Sequence, residues 1–135
     1  MSPRSKPEFI ELFNPLLTGS GYFLAALITL RMVDELNSIA IIWPASGLLL
    51  AVLLLQSNFP AYPHVLSAAV GSLAANIIDN GQLAVSAGYT FANMFEPLAI
   101  ASILKVKLAQ RLSFSSPSHL IWFSLAAVIG CACSA

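Results

Sequence analysis

Apolar residues gather along this chain into five long stretches, the first four each closed by a short polar cluster. Leu12 to Leu30 is the first and ends at the charged stretch RMVDELNS, Arg31 to Ser38. Between Leu36 and Ile78 there is no Asp, Glu, Lys or Arg, which is too long for one helix. The breaker cluster QSNFPAYPH, Gln56 to His64, divides that run by its paired prolines and polar residues. Helices are therefore expected over Ile39–Leu55 and Ala61–Ile78. The turn signal D-N-G-Q, Asp79 to Gln82, precedes a fourth stretch, Leu83–Leu104. A basic loop follows, Lys105 to His119, and a fifth apolar stretch begins at Leu120.

Composition turns this pattern into a class. Hydrophobic residues make up 58% of the 135 and charged residues only 9%, with mean hydropathy +0.82. An ordinary globular domain carries about 25% charged residues, and stretches of about 20 apolar residues suit a bilayer. The expectation is an all-α polytopic transmembrane bundle, with four complete spans and the start of a fifth. Residues 1–11 form a cytoplasmic segment and residues 12–135 the bundle. Arg4 and Lys6 at one end and Lys105, Lys107 and Arg111 after four crossings predict a cytoplasmic N-terminus in an inner membrane. The bilayer is then a partner, and the stop at G-C-A-C-S-A reads as a fragment of a longer protein.

Charge and chemistry narrow the function classes. Six basic and six acidic residues balance, so nothing points to nucleic acid. Cys131 and Cys133 read as small apolar residues of a helix, and His64 and His119 as solvated loop histidines. No phosphate-cradling glycine loop, metal spacing or nucleophile–base pair is present. Neither a catalytic role nor a cofactor is expected.

Three clusters remain. In N-M-F-E-P-L, Asn93 and Glu96 stand one helical turn apart on one face. Pro97 removes a backbone donor beside them. Glu96 is a ligand- or proton-sensing group, or a peg that hydrogen-bonds across helices to Asn76 or Ser72. In I-I-W-P-A-S-G, Trp43 suits an interfacial anchor, Pro44 a helix start, and Ser46 and Gly47 a close helix approach. In S-A-A-V-G-S-L-A-A-N, Ser67, Gly71 and Ala75 form one small-residue stripe, with Ala68, Ser72 and Asn76 beside it. Such stripes suit close helix packing.

Taken in order, W-P-A-S-G-L-L-L-A, the Tyr62-Pro63 pair, G-S-L-A-A-N and N-M-F-E-P-L resemble the MASE1 family of bacterial integral-membrane sensory domains. Tyr62 stands where that family usually has Trp, and Pro97 where it commonly has a small or apolar residue. The family domain has about eight spans, of which this chain resembles the first half. The resemblance implies a signal-input module ahead of a cytoplasmic diguanylate cyclase, cyclic-di-GMP phosphodiesterase or histidine-kinase domain. A homodimer or a membrane partner protein is compatible with it. It marks Trp43, Pro44, Gly47, Asn76, Asn93 and Glu96 as family-motif positions. Half of a small-solute transporter and a structural anchor stand as alternatives.

Overall fold

The computed structural model describes residues 8–36, 43–55, 61–108 and 116–134. They form five helices: α1 Glu8–Leu36, α2 Pro44–Leu55, α3 Tyr62–Asn80, α4 Leu83–Leu108 and α5 Pro117–Ser134. The all-helical expectation and the helix order hold. Arg31 to Leu36, expected as loop, instead extends α1. Ile39 to Ile42, Arg4, Lys6 and Arg111 lie outside the described residues, as do the side chains of Lys107, Cys131 and Cys133.

The transmembrane expectation is corrected. Among the described residues no helix is long and apolar enough to cross a membrane. At 1.5 Å per residue, the 12 residues of α2 reach about 18 Å, against a hydrocarbon core of about 30 Å. The longer helices carry polar interruptions. His64, Asn76 and Asp79 fall in α3, and Asn93, Glu96, Pro97 and Lys105 in α4. Four complete spans, a fifth beginning and a multi-pass inner-membrane placement are therefore not what these helices support. The composition misled because it counts apolar residues without asking how they are distributed. Apolar residues also face outward, including Leu24 and Ile28 on α1, Val70 on α3, Phe91 on α4 and Val128 on α5.

Inside, each helix contributes a narrow stripe. On α1 it is Thr18, Tyr22, Ala26 and Thr29; on α3, His64, Ala68, Ser72, Ala75 and Asn76. On α4, Thr90, Met94, Pro97, Ala101 and Leu104 recur at alternating steps of four and three, the seam spacing of packed helices. α1 packs on α2 and α3, while α4 packs on α2, α3 and α5. Tyr22, Ala26, Ala45, Leu49, Leu53, Ala68, Ala75, Met94 and Ala101 make the main core. Ile100, Leu104 and Ala126 make a smaller one between α4 and α5.

Two local features fix the frame. Gly81 ends α3 with φ 69°, and its N–H donates to the Ile77 carbonyl at 2.9 Å, a left-handed cap that favours glycine. Asn80 Oδ1 then accepts from Gln82 N–H (2.9 Å) and Ser86 Oγ (3.1 Å), tying the turn to the start of α4. The second feature is the α1–α3 crossing. A Cβ on Gly71 would sit 2.6 Å from the Gly19 carbonyl oxygen, and one on Gly19 would strike Ser67. Ser67 and Gly71 thus lie at the crossing, and Ala75 is buried in the main core. Gly47 does not: it is exposed, and a Cβ there meets nothing within 4 Å. The close approach expected around Gly47 is absent because that side of α2 faces away from its neighbours.

Candidate functional site

The separate sequence clusters meet where α1, α2, α3 and α4 converge. Trp43 is half-buried immediately before α2, and exposed Pro44 is the first residue of that helix. Ser46 follows, buried. Proline's missing N–H is harmless at a helix start, so W-P-A-S turns Trp43 and Ser46 toward the core while α2 begins. From α1, Tyr22 enters fully buried. Ser72 and Asn76 come from α3 and Asn93 from α4.

Ser72 is the hub of the polar contacts. Asn76 Nδ2 donates to the Ser72 carbonyl at 2.8 Å and approaches its Oγ at 3.4 Å. Asn93 Nδ2 reaches the same Oγ at 3.4 Å from the neighbouring helix. Asn93, one turn before Glu96, thus makes a hydrogen bond between α4 and α3. Glu96 stands half-buried beside the α4 seam, and Pro97 is fully buried within it. The helix continues through that proline.

Around this hub several polar atoms are buried without a hydrogen-bond partner among the described residues. They are Tyr22 Oη, Trp43 Nε1, Ser46 Oγ and Thr90 Oγ1. Burial pushes the Tyr22 phenol above its ordinary value of 10.0, while nearby Trp43, Ser46 and Ser72 pull it down and the Glu96 charge raises it further. Those influences place Trp43, Ser46 and Ser72 around the phenol, although none bonds it with good geometry. Tyr22 and Ser46 can each donate or accept, and the Trp43 indole only donates. The arrangement binds hydrogen-bonding groups. It holds no nucleophile with a base, and the described residues contain no group of three or more His, Cys, Asp or Glu placed to hold a metal.

Tyr22 and Thr90 were not legible as site residues. Tyr22 sits in an apolar run without a motif, yet Thr18, Tyr22, Ala26 and Thr29 fall on one face of α1. A face of small and hydroxyl-bearing residues amid leucines is the signal that points there.

His64 also differs from expectation. It lies buried on α3 rather than solvated in a loop, because α3 begins at Tyr62 and turns this position inward. Its Nδ1 is 2.8 Å from Thr18 Oγ1. Burial lowers its pKa below the ordinary 6.5.

Comparison with protein-family models, curated proteins and solved structures finds no match to this chain.

Proposed function

We propose that this chain is a signal-input module, a helical sensor domain whose responsive element is the buried polar cluster of Tyr22, Trp43, Ser46, Ser72, Asn76 and Asn93, with Glu96 at its edge. The observation that carries this reading is the set of unpartnered polar atoms at Tyr22, Trp43 and Ser46. A buried donor or acceptor left unsatisfied costs about 1–3 kcal/mol, and Phe or Ala at these positions would avoid it. Three such groups around one point, close to one another and to Ser72, support a site that meets its partners in a bound small molecule. The ordered motifs that resemble MASE1 support the sensory part of the reading, and they supply most of the residues that converge.

The route from binding to response is mechanical. Tyr22 belongs to α1, Trp43 and Ser46 to the start of α2, and Ser72 and Asn93 to α3 and α4. A molecule bonded to both pairs draws α1 and α2 toward α3 and α4. Ile100 on α4 packs against Gly130 on α5, so a shift of α4 reaches α5. Two packings that differ by a few kcal/mol suffice for such a switch. An output domain joined to this module, of the cyclic-di-GMP or histidine-kinase type that the resemblance implies, would read that shift.

The two tryptophans provide the test. Trp43 lies in the cluster, and Trp122 lies on α5 beside the smaller core. With indole-¹⁵N labelling, a panel of small polyols, amides and amino acids is titrated into the full chain. A binding solute moves the Trp43 indole signal and leaves that of Trp122, and Tyr22→Phe with Ser46→Ala weakens it at least tenfold. A binding solute that moves both signals alike, or that binds the double variant as well as the wild type, overturns the proposal.

A further inference from the structure

Along α4, Ala84, Gly88, Phe91, Phe95, Leu98 and Ser102 recur at alternating steps of four and three, and each of them is exposed. That spacing is a second seam, beside the buried one that faces α2, α3 and α5. At 1.5 Å per residue it runs about 27 Å along the helix. Phe91 is 75% exposed, and its ring stacks on that of Phe95 with centroids 6.5 Å apart and planes 23° from parallel. Two aromatic rings held as one outward plate are the side chains that protein interfaces favour most.

The rest of the seam suits close contact. At Gly88 a Cβ would meet nothing within 4 Å, so the plate has open space beside it. Ser102 donates its hydroxyl proton to the Leu98 carbonyl at 2.7 Å, so it can be covered without leaving a buried donor unsatisfied. Charge of opposite sign closes the two ends. Lys105 continues the seam beyond Ser102, and Asp79 lies just before the Gly81 turn that leads into α4; both are exposed.

We infer that this face of α4 docks on the same face of a second copy of the chain, with the two helices antiparallel in a two-fold symmetric dimer. The sequence is self-complementary in that register. With Phe91 level with the second copy's Phe95, Leu98 stands opposite the open space at Gly88 and Ala84 opposite Ser102. Lys105 comes level with Gly81, beside Asp79. Two-fold symmetry makes each of these contacts twice. A parallel pairing would instead set lysine against lysine and aspartate against aspartate, and like charges across an interface oppose association.

Sedimentation velocity of the full chain, from low to high micromolar concentration, provides the test. The wild type moves from monomer to a species of twice the 14.3 kDa chain mass. Gly88→Trp, which occupies the space taken by the second copy's Leu98, abolishes the dimer. Phe91→Glu weakens it at least tenfold. Both positions are exposed, so the variants keep the wild-type far-UV circular dichroism. Asp79→Lys and Lys105→Asp each weaken the dimer about tenfold, since each creates two like-charge pairs, and the double reversal restores it. A chain that stays monomeric throughout gives this face to a different protein or a lipid surface and overturns the inference. So does a dimer that Gly88→Trp and Phe91→Glu leave intact, and a double reversal that fails to restore association overturns the antiparallel register. The readout is mass and does not involve Trp43, so failure here leaves the polar-cluster proposal separately testable.

Discussion

Gly71→Ala adds one methyl group to the close α1–α3 crossing, and two opposing effects decide its outcome. In an open helix the change is favourable, because glycine is about 1 kcal/mol worse than alanine in a helix interior. At this crossing the new Cβ meets the Gly19 carbonyl oxygen at 2.6 Å and the Phe23 backbone nitrogen at 3.3 Å. The first contact is far inside ordinary van der Waals separation, and its partner is backbone, which cannot rotate away. Relief requires α1 and α3 to separate, loosening Tyr22, Ala26, Ala68 and Ala75 in the core. Overpacking of this kind costs about 1–3 kcal/mol. With a cost near the upper end and the propensity gain subtracted, the expected loss is about 2 kcal/mol. Urea unfolding followed by far-UV circular dichroism measures it. Gly47→Ala is the control: its Cβ meets nothing within 4 Å, so the propensity gain stands alone and the chain becomes about 0.5–1 kcal/mol more stable. If Gly71→Ala matches Gly47→Ala, the close crossing does not exist.

Asn76→Ala removes the buried donor to the Ser72 carbonyl and should cost about 1–2 kcal/mol in the same unfolding assay. Gly81→Ala forces a side chain into φ 69° and should cost about 1 kcal/mol, read as a lower urea midpoint at unchanged slope. The folded-state pKa of His64 lies below its ordinary 6.5, so the unfolded chain takes up this proton first as pH falls. Stability from this group is complete above about pH 6.5 and is lost below it. A urea midpoint that falls between pH 7.5 and 5.5 in the wild type should fall less in His64→Gln, and an equal fall in both would assign the loss to other groups.

The helices were legible because their boundaries carry strong local chemistry. D-N-G-Q gave the α3–α4 turn, with Asn80 and Gly81 in the roles their side chains favour. Pro44 and Pro63 mark the starts of α2 and α3. The small-residue stripe of α3 gave the crossing with α1. Membrane placement was misread for a different physical reason. Apolar composition reports what residues are present, whereas crossing a bilayer needs an unbroken apolar helix of sufficient length, and α2 is short while Asn93, Glu96 and Pro97 interrupt α4. The motif residues of the site were legible one cluster at a time. Their meeting point was not, because Tyr22 comes from a helix without a motif and is placed by the Gly19–Gly71 approach. His64 was misread because its neighbours Tyr62 and Pro63 looked like a loop when they are the first turn of α3.

Tyr22 and Ser46, as binding groups, are held at the expense of stability, and that cost can be measured without knowing the ligand. The double variant Tyr22→Phe/Ser46→Ala removes two buried oxygens that have no hydrogen-bond partner and leaves the packing almost unchanged. Urea unfolding of the ligand-free chain should show it as stable as the wild type or more so, by up to about 1–3 kcal/mol. A loss of 1 kcal/mol or more would mean that these hydroxyls make stabilising bonds within the fold, and that the cluster is structural.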